Sequence, residues 1–279
     1  MSAVRSARLE AAGVSSPLIE AGPPDAAEAI VFVHGNPGSS TDWTSLVESA
    51  GEVGRAVAFD MPGFGAARAP SGFGYDIASY AAFVDAALRE LGIERAHLVL
   101  HDFGGPFGLF WGIAHPDQWA SVVLINIGVM PGYSWHSMAK RWRTPVLGEL
   151  VQAWIPRWGW RRTMQKSGPR GLPERFVDKM YDDYDRDTRQ TVLKLYRATP
   201  DPGETAAELG AALARWRSRR WSCGGPPTPS STCSSPSASG SSSTSRTWWC
   251  SSRAATGPSR TTRSRSSGRS CRSCVASSA

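Results

Sequence analysis

Cysteine is absent from the first 216 residues of this 279-residue chain, and all five cysteines lie in the last 63. A cysteine-free body neither needs nor indicates an oxidising compartment. The chain also has no run of about 18 apolar residues and no apolar segment near its amino terminus that resembles a signal peptide. We therefore expect a cytoplasmic protein that has no membrane partner.

The last 63 residues lack more amino-acid types than the rest of the chain does. Residues 217–279 contain no Asp, Glu, Lys, Leu, Ile, Phe or Met, but they contain 22 Ser and 10 Arg. The formal net charge of +7 therefore comes from this tail, because residues 1–216 carry 21 Lys and Arg against 24 Asp and Glu, a net charge of −3. The basic balance is thus no evidence that the body binds nucleic acid.

Strand and helix patterns alternate along the first half of the chain. An amphipathic helix is predicted at 75–91, and short apolar runs predict buried strands at 29–33, 56–60, 97–101 and 121–125. This alternation is typical of an α/β fold with a mostly parallel, doubly wound sheet. We assign residues 1–130 to this core.

Residues 131–216 differ in character and are predicted to form a helical cap insertion that returns toward the core. Helical patterns occur at 173–184 and 189–196, and there is no strand signal. The aromatic side chains of this stretch are candidates for a pocket, although core packing is the commoner role of any one of them: Trp135, Trp142, Trp154, Trp158 and Trp160.

The motif at 98–105 carries the most chemical information. Asp102 follows an apolar run and precedes Gly104 and Gly105, as in a nucleophile elbow, where a strand turns sharply into a helix. A carboxylate there can attack an alkyl carbon to form an ester, which an activated water must then hydrolyse. The alternative is that Asp102 only caps the helix.

A second motif, His-Gly-Asn-Pro at 34–37, follows the first predicted parallel strand, and Asp-Met-Pro-Gly-Phe-Gly follows the next at 60–65. With these motifs, residues 7–216 resemble the aspartate-nucleophile branch of the α/β-hydrolase superfamily, the haloalkane dehalogenases and epoxide hydrolases. The resemblance implies that Asp102 is the nucleophile and that the Phe103 backbone N–H and the Asn36 region bind an oxyanion or halide. It also implies a small apolar substrate, water, no cofactor and no metal.

The two activities of this branch are associated with different site residues. Asn36 matches the halide-binding amide of the dehalogenases, but Phe103 stands where those enzymes have a Trp and has no N–H to donate. Epoxide hydrolases tolerate Phe there and use cap tyrosines as acids. Candidates for substrate binding are Tyr133, Tyr181, Tyr184, Tyr196 and His34, although for His34 we favour a turn held by backbone hydrogen bonds. We favour the dehalogenase assignment, with epoxide hydrolysis as the alternative.

The resemblance stops at Trp216, because no acidic residue and no histidine follows it to serve as triad acid and base. Out-of-frame translation of GC-rich DNA would produce such a tail. One back-translation of 216–229, read from its third nucleotide, gives A-I-P-A-L-V-V-W-G-A-A-D-P, and 253–258 in the same frame gives G-R-H-W-P. We therefore expect a frameshift near Trp216, a disordered tail at 217–279 and an impaired enzyme.

Two hypotheses assign the chain a function of a different class. An Arg- and Ser-rich tail can bind nucleic acid electrostatically, and an α/β protein can bind a ligand in its cap pocket without catalysis. The Cys271–Cys274 spacing has neither a second cysteine pair nor a nearby histidine, so we expect no zinc site. The sequence does not indicate an oligomeric state.

Overall fold

The computed structural model describes residues 2–127, 133–165 and 171–221, with side chains described as far as residue 214. The tail beyond 221 contains the five cysteines and most of the segment for which disorder was predicted, and it lies outside the described residues.

One six-stranded sheet, in the order β1-β2-β4-β3-β5-β6, forms the core. Strands β3, β4, β5 and β6 are parallel to one another, whereas β2 pairs antiparallel with both β1 and β4. The prediction of a mostly parallel α/β sheet is confirmed, and its four predicted strands correspond to β3 to β6. The strands are β1 (Arg5–Ala11), β2 (Val14–Ala21), β3 (Glu28–Val33), β4 (Arg55–Phe59), β5 (Arg95–His101) and β6 (Trp119–Ile125).

The hairpin of β1 and β2 is absent from the sequence-based prediction. Its two-residue turn places Ala12 at φ +49° and Gly13 at φ +75°, the positive values of a type I′ turn. Asn-Gly or Asp-Gly is the usual sequence of such a turn, so the Ala-Gly pair found here did not predict it. Pro17 within β2 further weakens the strand pattern.

Helices cover both faces of this sheet. After a short 3₁₀ turn at Ser40–Trp43, α1 (Thr44–Ala50) contacts β2 and β4 on one face. On the other face, α2 (Ile77–Glu90) and α3 (Gly104–Ala114) contribute to the larger hydrophobic cluster. Asp76 caps α2 by accepting a hydrogen bond from the Ser79 backbone N–H. Helices on two faces confirm the doubly wound arrangement.

Only helices are found among the described residues after β6. The predicted patterns at 173–184 and 189–196 are confirmed as α7 and α8, whereas four further helices had no prediction. The division into core and cap at residue 130 stays a prediction. The helices are α4 (Ser137–Arg143), α5 (Leu147–Ala153), α6 (Arg157–Gln165), α7 (Glu174–Asp183), α8 (Arg186–Ala198) and α9 (Pro202–Trp221).

Strand β6 forms one edge of the sheet, and in the described ranges it pairs with β5 alone. Val123 and Ile125 on this strand are 37% and 38% exposed. An uncovered apolar edge of this kind favours association with other chains. Within the same ranges, no helix combines the length and the apolar character that crossing a bilayer would require.

Candidate active site

Asp102 lies at a strained turn between β5 and α3. Its φ is +50°, a left-handed conformation that L residues rarely adopt and that costs on the order of 1–3 kcal/mol. The turn leaves no room for side chains beside it. A Cβ on Gly104 would lie 2.3 Å from the Val33 carbonyl oxygen, and one on Gly105 would lie 2.5 Å from Ile127 Cγ2. Glycine at both positions is therefore a steric requirement of the elbow.

The Asp102 carboxylate does not cap the helix, so the capping alternative is wrong. Phe103 occupies the N-cap position of α3, and no side chain caps the first turn. Instead, Oδ1 of Asp102 accepts a 2.8 Å hydrogen bond from the Asn36 backbone N–H. The carboxylate is thus held by the loop after β3 and not by its own helix.

The loop after β3 lies directly against the elbow at Gly35. A Cβ on Gly35 would lie 2.4 Å from the Asp102 Cβ and 2.6 Å from the Phe103 backbone nitrogen. The absence of a side chain at Gly35 therefore lets the backbone around Asn36 and Phe103 gather beside the carboxylate. Backbone N–H groups in this arrangement can stabilise negative charge that develops during a reaction.

His34 anchors this loop from inside the core. It is 2% exposed, and its Nε2 accepts from the Met61 backbone N–H at 2.9 Å while its Nδ1 donates to the Gly35 carbonyl at 2.9 Å. Burial lowers the pKa of His34, which favours the neutral ring. His34 is not on the cavity wall, and both its ring nitrogens bond to backbone groups, as expected of a histidine that holds a turn. Its assignment to substrate binding stays a prediction.

A cavity of about 270 Å³ opens beside Asp102. The core contributes Phe103 and Asn126 to its wall, and Asn126 follows β6 with φ +46°. Residues beyond β6 contribute the remaining polar and aromatic groups discussed below. The volume suits a small molecule, and the carboxyl ends of the parallel strands are the usual binding edge of such sheets.

Tyr196 of α8 links the cavity to Asn36. The Asn36 side-chain Nδ2 lies 3.4 Å from the Tyr196 hydroxyl and donates to it, and Asn36 itself is not part of the cavity wall. The contact of the Asn36 amide with substrate stays a prediction, and the amide nitrogen is bonded to Tyr196 in the structure. Burial, followed by the charge of Asp102, raises the pKa of Tyr196 well above its usual range, so the hydroxyl keeps its proton.

Trp135 is the one member of the predicted tryptophan set found on the cavity wall in the described structure. Its ring stacks near Phe103, with centroids 6.3 Å apart, and lies 5.2 Å from the Tyr196 ring. The Trp135 indole N–H is buried and has no hydrogen-bond partner among the described residues. Trp154 and Trp158 are exposed instead, and Trp160 is buried in the core.

Two of the four candidate tyrosines line the cavity, Tyr133 and Tyr196. The other two do not. The Tyr184 hydroxyl pairs with the Gln152 side chain, and the Tyr181 hydroxyl donates to the Ile155 carbonyl. The rings of both residues pack against Trp160. Both hydroxyls bond to residues between 147 and 155 and not to the cavity wall, and their assignment to substrate binding stays a prediction.

His136 lies on the cavity wall, although no sequence motif singled it out. It is the N-cap of α4, where its Nδ1 accepts a 3.2 Å hydrogen bond from the Ala139 backbone N–H. Burial lowers the pKa of His136, against the opposing effect of the Asp102 charge. Histidine is an unusual cap, so the sequence offered no signal that a helix begins there.

Comparison with known proteins supports the fold described above. The family model for the alpha/beta hydrolase fold matches residues 28–153. A haloalkane dehalogenase of Mycolicibacterium smegmatis is 41% identical over 109 residues, which are 37% of this chain and 35% of that protein. Another, of Agrobacterium fabrum, is 35% identical over 97 residues. The chain thus matches about a third of the length of these curated relatives.

Solved structures match over a longer part of the chain. A haloalkane dehalogenase from Bradyrhizobium elkani is 25% identical, with a TM-score of 0.62 over 77% of this chain and 76% of that one. An epoxide hydrolase at 17% identity has a TM-score of 0.61 over 75% and 77% of the two chains, which shows a shared fold alone. Because the family model spans both motif loops and the fold agrees with it, the chain has the α/β-hydrolase fold.

Proposed function

We propose that this chain is built to cleave a small halogenated alkane through an alkyl ester on Asp102. The observation that carries the proposal is the position of the carboxylate. It lies on a strained elbow, is held by the Asn36 backbone N–H, and opens into a cavity of about 270 Å³. The Asp102 oxygen attacks the carbon that bears the halogen, the new C–O bond forms, and halide leaves.

The departing halide needs hydrogen-bond donors, and Phe103 has none in its side chain. Two other groups on the cavity wall offer replacements. Tyr196 keeps its proton and has its oxygen bonded by Asn36, which leaves the O–H free to donate. Among the described residues, the buried Trp135 indole N–H has no hydrogen-bond partner. Donors that are already in place stabilise the charge that appears on the leaving group.

The ester is expected to persist, because hydrolysis needs a base to activate water. His136 is the one described histidine on the cavity wall. Its Nδ1 is occupied by the Ala139 N–H, so the neutral ring carries its proton on Nε2 and has no second lone pair for a water molecule. No carboxylate pairs with His136 in the described residues. We infer an enzyme that forms the intermediate and then stalls.

The test is to incubate the whole chain with 1-bromobutane and analyse its peptides by mass spectrometry. One butyl group should appear on the Asp102 peptide, with one equivalent of bromide released and no further turnover. Asp102→Ala should abolish both. Sustained release of bromide by the unaltered chain would contradict the stalled intermediate, and an adduct that survives Asp102→Ala would contradict the nucleophile.

Epoxide hydrolysis is the second candidate, favoured by the protonated Tyr196 hydroxyl beside Asp102. Attack on an epoxide breaks a ring C–O bond, and the alkoxide takes a proton from such an acid. The adduct then has the full mass of the epoxide, whereas a haloalkane leaves only its alkyl group. Parallel incubations with 1,2-epoxybutane and 1-bromobutane therefore separate the two, and the faster reagent identifies the class.

The proposed frameshift near Trp216 has its own test in the nucleotide sequence of the gene. A shift of frame there should encode a strand, an Asp turn and a His-Trp pair. A gene corrected to that frame should yield a protein that turns over many substrate molecules. If the corrected protein still stalls, the missing base is not the cause. Salt-dependent binding of DNA that is lost on removal of 217–279 would instead support the basic-arm alternative.

A further inference from the structure

Three side chains on neighbouring parallel strands form a hydrogen-bonded chain away from the Asp102 cavity. Ser121 of β6 lies opposite His97 of β5, and its Oγ is 2.7 Å from the His97 Nδ1. The other ring nitrogen, Nε2, is 2.7 Å from Oε1 of Glu28 at the start of β3. His97 is near the amino end of β5, and Asp102 follows the opposite end of that strand.

The carboxylate determines the direction of these hydrogen bonds. The hydrogen bond from His97 is the main cause that lowers the pKa of Glu28, so Glu28 is ionised and can only accept. When the His97 ring is neutral, its proton therefore lies on Nε2, facing Glu28. Its Nδ1 then carries the lone pair and accepts from the Ser121 O–H. This is the order of a hydroxyl, a base and a carboxylate that orients the base.

We propose that Ser121 is a second nucleophile of this chain, activated by His97 and oriented through Glu28, and that it reacts with small activated acyl esters. The group is accessible, because the side chains of His97 and Glu28 are 36% and 55% exposed and Ser121 is half-buried. The proposal does not depend on the reaction at Asp102.

The reaction is an acyl transfer in which all atoms are accounted for. Ser121 Oγ forms a bond to the acyl carbon while its proton moves to His97 Nδ1, and the ester's C–O bond breaks to release the alcohol or phenolate. The proton then passes from His97 to solvent. Ser121 lies within a strand, unlike Asp102, and not at a helix N-terminus where N–H groups stabilise an oxyanion. We therefore expect stoichiometric acylation and no rapid turnover.

The probe is p-nitrophenyl acetate, used with the whole chain and followed by peptide mass spectrometry. Ser15 of β2 is a matched control within the same molecule, because its hydroxyl also contacts a carboxylate, Glu10, but no imidazole. Base catalysis typically contributes 10²- to 10⁴-fold, so Ser121 should be acetylated on the order of 100-fold faster than Ser15.

Variants separate the base from its orienting partner. His97→Gln should reduce acetylation of Ser121 to the rate of Ser15, Glu28→Gln should reduce it partly, and Asp102→Ala should leave it unchanged. Far-UV circular dichroism identifies any variant that does not fold, and the comparison of Ser121 with Ser15 in the unaltered chain needs no variant at all. Equal labelling of Ser121 and Ser15, or undiminished labelling in folded His97→Gln, would overturn the proposal.

Discussion

The backbone N–H of Asn36 donates a 2.8 Å hydrogen bond to Oδ1 of Asp102 across 66 positions of sequence. This bond joins the loop after β3 to the elbow after β5, and the two strands are direct parallel neighbours in the sheet. One carboxylate oxygen is thereby fixed, which orients the carboxylate toward the cavity. The orientation comes from backbone groups alone and therefore needs Gly35, Gly104 and Gly105 to let the segments approach.

Gly35→Ala should destabilise the protein and slow alkylation of Asp102. The new Cβ would lie 2.4 Å from the Asp102 Cβ, and overpacking of this kind costs about 1–3 kcal/mol. Urea unfolding measures the free energy. The matched control is Gly54→Ala, whose Cβ meets nothing within 4 Å. The steric argument fails if the two variants lose equal stability.

Tyr196→Phe should slow formation of the Asp102 ester on the order of 10- to 100-fold, because it removes a donor to the leaving group and leaves the Asn36 amide without its partner. Single-turnover release of bromide measures the rate. Tyr184→Phe is the control, since its hydroxyl pairs with Gln152 away from the cavity. That variant should react at the normal rate, and equal slowing of both would argue against a role for the Tyr196 hydroxyl.

Stability should fall in mild acid because of His34. Burial lowers the pKa of His34 in the folded protein, so as pH drops below about 6.5 the unfolded chain binds the proton first. Above that pH, neutral His34 contributes fully to the free energy of unfolding. This contribution is lost as the pH falls toward the lowered pKa of His34 in the folded protein. Protonation also breaks the bond from the Met61 N–H.

Urea unfolding of the unaltered chain and of His34→Gln at pH 7.5, 6.5 and 5.5 tests this expectation. The variant should be less stable than the unaltered chain at pH 7.5, but the difference should shrink as the pH falls. The comparison removes the contribution of the carboxylates, which both proteins share. A constant difference across the three pH values would mean that His34 does not titrate in this window.

Lys179 on α7 should hold this helix against the loop before α1. Its Nζ lies 3.0 Å from Asp42 Oδ1 and 3.1 Å from Ser39 Oγ. The side chain is 36% exposed, so the interaction is worth only about 0.5–1 kcal/mol. Lys179→Met should accelerate hydrogen exchange at 174–183, whereas Lys140→Met, which removes an exposed charge on α4, should not. Equal exchange in both variants would contradict the contact.

Local patterns were sufficient for the parallel part of the fold. Apolar runs followed by Gly- and Pro-containing turns predicted β3 to β6, because buried parallel strands leave an uninterrupted apolar signal. The β1–β2 hairpin was not predicted, since five of the seven residues of β1 are exposed and the turn uses Ala12. Amphipathic patterns predicted α7 and α8, whereas no pattern predicted α4, the helix that His136 caps.

The sequence by itself placed Asp102 at a sharp turn from strand to helix, because an apolar run followed by Gly104 and Gly105 is typical of such a turn. It also determined the loop at 34–37 that meets the elbow. Only the tertiary structure decided which side chains beyond β6 surround the carboxylate. Tyr196, Trp135 and His136 reach the cavity while Tyr181 and Tyr184 do not, because that choice depends on how the helices pack, and packing joins residues too distant in sequence for any local pattern to relate.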